Sequence, residues 1–439
     1  MSRRNRAVRS ATRSVAVPFA LGLLAVSPRA HAERLTIEDV ARLVATSGPE
    51  LAATRERAQA AVEQSKSSRG RLLPSVHVSD EYQHWDSPFR FPATTPGAPP
   101  LTVRERDINT FSVGASQPLM GLFKGVADYK GKSIAADAAA QGLRASESTA
   151  REAVELEFLR YFEAKTRGEV ARASEQELAQ QVTETEARVK AGTLTKADLL
   201  RVKVAESTAR QDGIVADANA TVSRATLLAA IGRAPDDPKV EFVSPAALLE
   251  LGDMPAPASD VVEGRRAEIA QAKLHAEAAD HEASARTYAM LPDVNLEAGY
   301  AHVNGQIFMP QDSAFVGIKA DWAIWEWGST YAQKEAAAAE ARAATLDVDA
   351  TRRRVRAEVT GRKAELTASA SAVALAKETV VSAEEAFRVT TALVRVGSGT
   401  TTDLLNAESA LTQARLSLER ARYSQAASRI RLERAAGLR

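Results

Sequence analysis

Polar and apolar residues alternate along four short segments of the chain. In the first of them, Val76, Val78 and Tyr82 fall on one face of an extended backbone and polar residues fall on the other. A period of two over about ten residues, with aromatic residues towards the ends, is typical of membrane-spanning β-strands. A soluble four-stranded sheet would show the same alternation, and the pattern alone leaves that alternative open. We predict strands at about 75–87, 109–120, 293–304 and 314–325.

Between these segments the composition favours long helices. The stretches 126–190 and 329–396 are rich in Ala, Glu and Arg and contain no proline. At about 1.5 Å per residue, each would be on the order of 100 Å long. A glycine-containing turn follows each stretch, and about 195–231 and 402–436 are predicted to be second helices. The apolar stripe is mostly alanine, which buries too little surface to stabilise an isolated hairpin, so we expect neighbouring helices.

Two parts of the sequence occur twice. The stretch VKAGTLTKADLL at 189–200 returns as VRVGSGTTTDLL at 394–405, an offset of 205 residues. The stretch LLPSVHVSDEY at 72–82 returns as MLPDVNLEAGY at 290–300, an offset of 218 residues. One long unit has therefore been duplicated, and each chain should carry two similar halves.

The duplication predicts the domain organisation. Residues 33–232 and 260–439 form the two repeats, each with a strand pair and a helical hairpin. Between them, residues 233–259 contain five prolines, which predicts a crossing segment rather than part of a deep core. Four strands cannot close a barrel, and an open sheet edge is not tolerated in lipid. A few copies of the chain would therefore have to share one barrel.

Aromatic side chains are concentrated in and beside the predicted strands. All four tryptophans lie in the two non-helical regions of the chain. In membrane-spanning strands, aromatic girdles mark the boundaries between lipid and water. We therefore assign six aromatic residues to the membrane interface: Trp85, Phe89, Phe111, Tyr300, Trp322 and Trp325.

The first 32 residues predict a cleaved signal peptide. They combine a basic start, an apolar stretch at 15–26 and a small-residue site at 30–32. They contain six of the 57 basic residues and no acidic residue, which leaves 51 basic against 56 acidic residues in the rest of the chain. That balance gives no electrostatic basis for binding nucleic acid. The chain has no cysteine, which excludes disulfides and thiolate metal sites.

The repeated stretch carries turn and capping residues in both copies. Gly192 and Gly397 stand where the backbone has to turn between two antiparallel helices. A threonine and an aspartate three residues apart follow each glycine, as a helix N-cap and a first-turn acid would. Taken locally, these residues predict capped helix ends. The two pairs are Thr195 with Asp198 and Thr400 with Asp403.

In their order, spacing and duplication, these features resemble the TolC-like outer-membrane efflux proteins, also called outer-membrane factors. The resemblance covers essentially the whole chain after residue 32, including LTIEDVARLVATSGPELAATRERAQAAVEQSKSSRGRLLPSV at 35–76. It implies a mostly α-helical homotrimer with transmembrane β-strands. Each chain would give four strands to a shared twelve-stranded β-barrel in the outer membrane of a Gram-negative bacterium. A long α-helical barrel would continue from it into the periplasm.

The resemblance also implies partners and a function. The trimer would be a passive conduit of a tripartite efflux or type I secretion system, docked to a periplasmic adaptor and to an inner-membrane pump of the RND, ABC or MFS type. Outer-membrane lipid would surround the barrel, and no cofactor is expected. The two turns of the repeat become the periplasmic tips at which the adaptor docks. The tip residues are Gly192, Thr193, Leu194, Gly397, Ser398 and Gly399.

Residues next to the tips take their roles from the same resemblance. In the family, acidic residues just inside the tips constrict the tunnel entrance, and Asp198 and Asp403 match such positions. Asn406 stands where the family has a second acid. The tyrosine and arginine that help to hold the entrance closed in well-known members match Val394 and Gly399. This charged latch is therefore not reproduced here.

Other classes of protein fit the sequence less well. A periplasmic adaptor is the main alternative, because it too is exported and carries a long helical hairpin. An adaptor would have one hairpin flanked by two halves of a β-domain, so the duplication argues against it. A secreted coiled coil would not explain the clustered tryptophans. The absence of HExxH, GxSxG and phosphate-binding motifs argues against an enzyme, and the strand positions of His77, His84 and His302 favour a lumen or an interface over metal ligation.

Overall fold

A layer of long helices carries a small antiparallel sheet at one end. The computed structural model describes residues 33–93, 95, 97–250 and 259–438, and the predicted signal peptide lies outside them. Within the described part of the chain, no helix is both long and apolar enough to cross a membrane.

The long helices and the long strands follow in the same order in both halves of the chain. The strands are β1 (Glu33–Leu35), β2 (Ser75–His84), β3 (Phe89–Phe91), β4 (Leu101–Pro118), β5 (Val240–Phe242), β6 (Asp293–Gln306) and β7 (Asp312–Asp321). The helices are α1 (Ile37–Ser47), α2 (Pro49–Gly70), α3 (Gly121–Lys190), α4 (Lys196–Ala230), α5 (Ala246–Leu249), α6 (Ser259–Arg265), α7 (Ala267–Tyr288), α8 (Ser329–Arg395) and α9 (Thr401–Ala435).

Corresponding helices of the two halves have similar lengths. α2 and α7 have 22 residues each, α4 and α9 have 35 each, and α3 and α8 have 70 and 67. Away from the sheet the helices lie in the order α4, α3, α9, α8, and next to the sheet in the order α2, α3, α7, α8. The two long helices, α3 and α8, therefore run through the whole layer. The shorter helices α4 and α9 lie beside them away from the sheet, and α2 and α7 lie beside them next to the sheet.

On all four long strands of the sheet, apolar and polar side chains alternate in matching register. Its strand order is β2, β4, β6, β7, all antiparallel, and β3 pairs with the first part of β4. The register sets Val78 opposite Val113, Val113 opposite Tyr300, and Tyr300 opposite Ala314. Since side chains alternate between the two faces of a strand, one face of the sheet is mainly apolar and the other mainly polar.

The strand ends differ from the predicted ones. β2 ends at His84 rather than near residue 87, before a bend that contains Pro88. The stretch between the first two predicted strands contains β3, and β4 begins at Leu101 rather than near residue 109 because it pairs there with β3. The charged run from Arg104 to Asp107 hides the alternation in this part of β4.

The last strand is also shorter than predicted. β7 ends at Asp321 rather than near residue 325, because its partner β6 begins at Asp293, directly after Pro292. Proline has no backbone N–H to give to a strand ladder. Trp322 and Trp325 therefore follow the strand instead of belonging to it.

The largest hydrophobic core lies beside the middle of α3. It joins α1, β1 and β5 to facing residues of α3, α4 and α9. Phe158 is fully buried in it, with its ring 5.6 Å from the ring of Phe242. The prolines of 233–259 predict a crossing segment outside a deep core, but β5 pairs in parallel with β1 and thereby buries Val240 and Phe242. Residues 251–258 of that segment lie outside the described part.

A cluster of buried and partly buried charges holds the joint at which α9 ends and α7 begins. Arg266, directly before α7, is 5% exposed and donates hydrogen bonds to Glu268, to Glu358 and to the carbonyl oxygen of Ala435. Arg434 donates to the same two glutamates. Burial alone would raise the pKa of Glu268, but the hydrogen bonds and charges of the two arginines lower it. Its contribution to stability is therefore present at neutral pH and is lost as the pH falls through the lowered pKa.

The equivalent joint of the first repeat lacks both arginines. At the offsets of 218 and 205 residues, Gly48 and Ala229 stand in the places of Arg266 and Arg434. The end of α4 approaches closely there, since a Cβ on Gly48 would lie 3.4 Å from the carbonyl oxygen of Ala230. Two copies of one joint are thus stabilised in different ways, one by close packing and one by ion pairs.

We expect Glu358→Ala to lower the free energy of unfolding by about 3 kcal/mol, because it removes one of the two carboxylates that pair with the buried Arg266. Thermal unfolding followed by circular dichroism measures this as a lower midpoint. The control is Glu385→Ala, whose partner Arg388 is 70% exposed, and which should cost less than about 1 kcal/mol. Equal shifts in the two variants would contradict this role for the buried cluster.

Candidate functional site

Both helical hairpins end in a turn built in the same way. At the end of α3, Gly192 has a φ of 77°. Its N–H donates to the carbonyl oxygen of Val189, and the N–H of Thr193 donates to that of Arg188, both at 3.0 Å. Gly397 repeats the arrangement at the end of α8 with a φ of 80°. A Cβ at either glycine would meet open space, so the left-handed backbone, and not crowding, favours glycine there.

Each turn leads into a helix whose first residues cap one another. The Thr195 hydroxyl donates to the Asp198 carboxylate at 2.6 Å, and the Asp198 N–H donates back to that hydroxyl at 3.2 Å. Thr400 and Asp403 form the same capping box at the start of α9. Hydrogen bonds from the threonine hydroxyl and backbone N–H lower the pKa of each aspartate. Both carboxylates are therefore negatively charged at neutral pH.

The acidic positions of the two tips have different surroundings. Asp198 lies 3.6 Å from the guanidinium group of Arg201, and its side chain is 18% exposed. That arginine offsets part of its charge. Asp403 and Asn406 lie on exposed parts of α9. The structure thus places all three predicted entrance residues beside the tips, with the least compensated charge at Asp403.

Two hydrogen bonds that the sequence motifs do not predict join one hairpin to the other near the tips. Arg188 donates to the carbonyl oxygen of Val394 at 3.2 Å, and Arg201 donates to the hydroxyl of Thr402 at 3.2 Å. At the offset of 205 residues, Arg188 corresponds to a leucine and Arg201 to Asn406. In the sequence, the sign of these contacts is that each arginine has an uncharged residue in its place in the second repeat.

At the other end of the molecule, the predicted interface aromatics are all exposed. Trp322 and Trp325 lie between the sheet and α8, at the helical end, whereas Trp85 and Phe89 lie at the far end. The guanidinium of Arg104 stacks 3.7 Å above the ring of Trp85. The remaining two residues lie within strands. The exposed fractions are 39% for Trp85, 49% for Phe89, 39% for Phe111, 42% for Tyr300, 60% for Trp322 and 75% for Trp325.

The apolar face of the sheet and both of its outer edges are open in a single chain. Val76, Val316 and Ile318 are at least 70% exposed. Among the described residues, β2 and β7 each lie at an end of the strand order, so the outer backbone groups of these strands have no strand partner.

The match to a protein-family model shows which family the chain belongs to. The model described as "Outer membrane efflux protein" matches residues 40–233 and 259–438, which include both strand pairs and both hairpins. The chain belongs to the outer membrane efflux protein family. The resemblance inferred from the sequence is therefore confirmed.

Individual members of the family are distant in sequence. The chain is 25% identical over 261 residues to the outer membrane efflux protein BepC of Brucella suis biovar 1 (strain 1330), a match that covers 58% of this chain and 56% of that protein. The match thus spans little more than half the length of this curated relative.

Solved outer-membrane channels share the fold over nearly the whole chain. The CmeC channel of Campylobacter jejuni has a TM-score of 0.80 at 13% identity, covering 91% of this chain and 85% of CmeC. VceC of Vibrio cholerae has a TM-score of 0.77 at 17% identity, covering 91% and 96%. The predicted fold class, helical with a small set of β-strands and an internal duplication, is confirmed, and the adaptor alternative is not supported.

We expect Thr400→Ala to loosen the first turn of α9, because the Asp403 N–H loses its acceptor, at a cost of about 1 kcal/mol. Hydrogen exchange of the first-turn amides should accelerate locally. Thr379→Ala, an exposed change within α8, is the control and should leave exchange near the tip unchanged. Unaltered exchange in Thr400→Ala would show that the capping box does not hold this turn.

Proposed function

We propose that this chain is the outer-membrane channel of a tripartite efflux or type I secretion system, a passive trimeric conduit from the periplasm to the exterior. The observation that carries the proposal is the exposed amphipathic sheet at one end of a helical layer whose other end forms two tips. Family membership supports it. α3 alone has 70 residues, which at about 1.5 Å per residue is roughly 105 Å. That length suits a tunnel rather than a globular domain.

The exposed sheet supports a trimer in the outer membrane. Its apolar face would be covered by lipid, and its polar face would line a water-filled lumen. The outer edge of β7 on one chain would pair with the outer edge of β2 on the next, which removes both open edges. Three chains with four long strands each would close a twelve-stranded barrel. The predicted signal peptide at 1–32 would bring the chain through the inner membrane and be cleaved.

The two tips are the proposed docking points for a periplasmic adaptor. Each presents a tight glycine turn at the end of the hairpins, farthest from the sheet. The docking residues would be Gly192, Thr193 and Leu194 on the first tip and Gly397, Ser398 and Gly399 on the second. An inner-membrane pump of the RND, ABC or MFS type would supply the energy, and the channel itself would carry out no chemistry.

The residues beside the tips are the proposed entrance. Three copies of Asp403 would form a ring of carboxylates, which favours cations. Arg188 and Arg201 tie the first hairpin to the second within a chain, in a region where the family latch positions carry Val394 and Gly399. We infer that these two arginines take over part of the work of holding the entrance closed.

We expect Gly192→Leu or Gly397→Leu to impair assembly with the adaptor while trimers still form. A Cβ atom at positive φ strains the tip by about 1–2 kcal/mol, and the leucine side chain alters its shape, whereas the sheet lies at the opposite end. Chemical cross-linking to the adaptor and an efflux assay measure the effect. Gly361→Leu, in the middle of α8 and in open space, is the control. Normal cross-linking and efflux in both tip variants would overturn the docking assignment.

We expect Asp403→Asn to reduce the cation preference of single channels in bilayer recordings. Asparagine keeps an acceptor oxygen for the N-cap while it removes the charge. Asp198→Asn should change the selectivity less, because Arg201 already offsets that carboxylate. Equal selectivity in the wild type and in Asp403→Asn would remove Asp403 from the entrance.

A further inference from the structure

A cleft of about 1030 Å³ lies beside the joint at which α9 ends and α7 begins. One part of its lining is a stripe of small residues on α3, among them Gly142, Ser146 and Ala153. The flanking helices supply the charged part of the lining, with five arginines against three glutamates. These residues are Arg57, Arg266, Arg354, Arg362, Arg434, Glu50, Glu268 and Glu358. The cleft is therefore net positive.

Two of the five arginines take no part in holding the fold together. Arg57 and Arg354 are exposed, and within the described part of the chain neither side chain forms a hydrogen bond or an ion pair. The other three arginines all pair with glutamates. Among the described residues, Glu50 is the one carboxylate of the lining without an arginine partner. The cleft thus has two free positive charges and one free negative charge.

The cleft and the largest hydrophobic core lie on opposite faces of the helical layer. On α3, Thr149 lines the cleft and Phe158 lies in the core. They are nine residues apart, about two and a half helical turns, which sets them on opposite sides of the helix. On α8, Arg356 pairs with Glu263 of α6, and Arg354, two residues away, lies on the other side. Elements that thicken one face of a closed tube occupy its wider, outer side, so the cleft would face the tunnel.

The lining offers two kinds of contact to a ligand. A guanidinium group presents paired N–H donors to a carboxylate and stacks on planar rings. The small side chains of α3, among them Ala139, Ala145 and Ala150, offer apolar surface. Glu50 would repel a doubly charged phosphate more strongly than a singly charged carboxylate. The ligand class that fits the cleft is a carboxylate on an apolar, ring-bearing body.

We propose that this cleft binds organic carboxylates of that class as they pass along the tunnel, and that Arg57 and Arg354 contact the carboxylate. The place in the tunnel rests on the proposed function, whereas the binding itself is a property of the single chain. The carboxylates of Asp403 do not oppose it. They lie at the tip, roughly 60 Å along α8 from Arg354, and at physiological salt charges are screened within about 8 Å. The tunnel would then have an acidic entrance and, deeper inside, a site for anions.

The binding test is a titration of detergent-purified trimers with dansylglycine, an aromatic carboxylate, followed by fluorescence anisotropy. We expect saturable binding at one site per chain, with the affinity lowered about fivefold or more in Arg57→Gln and in Arg354→Gln, because each loses a charge-assisted hydrogen bond. The neutral dansylglycinamide should bind the wild type more weakly by a similar factor. Arg353→Gln is the matched control, because Arg353 is exposed and adjacent to Arg354 but lies outside the lining, and it should bind like the wild type.

Recordings from single channels in planar bilayers test the place of the cleft. Dansylglycine should lower the current through the wild type, because a molecule bound at the tunnel wall narrows the conducting path. Arg354→Gln should need a concentration about fivefold higher for the same effect. Arg353→Gln should respond like the wild type.

The outcomes separate this inference from the proposed function. Equal affinities in the wild type, Arg57→Gln and Arg354→Gln, or an equal loss in Arg353→Gln, would overturn the binding site and leave the channel intact. Displacement of dansylglycine by an equal concentration of inorganic phosphate would overturn the carboxylate class. Binding with no effect on the current would overturn the place in the tunnel. A protein that forms neither trimers nor channels would overturn the proposed function itself, even where the single chain binds dansylglycine.

Discussion

The free backbone N–H and C=O groups along the outer edges of β2 and β7 are the constraint on which the rest of the structure depends. Hydrocarbon offers these groups no hydrogen-bond partner, so a sheet with one exposed apolar face and two open edges requires pairing with further copies. Every other large feature serves that arrangement. The duplication supplies two pairs of strands, and the long helices separate the sheet from the tips.

The helical layer meets a related requirement by different means in its two halves. At the joint where α4 ends and α2 begins, the backbone at Gly48 lies close to the end of α4, and a hydrophobic core packs beside it. At the joint where α9 ends and α7 begins, Arg266 and Arg434 both donate hydrogen bonds to the same two glutamates. The repeats have thus kept one architecture while the interactions that stabilise it have diverged. The tips show the same divergence in Arg201, which has no charged equivalent in the second repeat.

Features fixed by local sequence could be predicted, and features fixed by distant partners could not. The turns at Gly192 and Gly397 and their capping boxes depend on residues within about six positions, so the motif was sufficient to place them. Strand ends depend on the partner strand. β7 ends at Asp321, opposite Asp293, which is the first residue of β6 after Pro292. The joint at Arg266 and the ties between the hairpins connect residues more than 160 positions apart. No periodicity reveals such pairs, although the unequal charges of the repeats were a clue.

Because the chain contains no cysteine, introduced cysteine pairs can test directly whether β7 of one copy lies beside β2 of the next. With Gly317→Cys on β7 fixed, a second cysteine is placed in turn at His77, Ser79 and Glu81 on β2, all on the polar face. The account predicts that oxidation of protein in outer-membrane fractions joins separate chains into covalent trimers, with one of the three β2 positions the most efficient. A protein that stays monomeric, with no cross-link between chains at any of these positions, would contradict it.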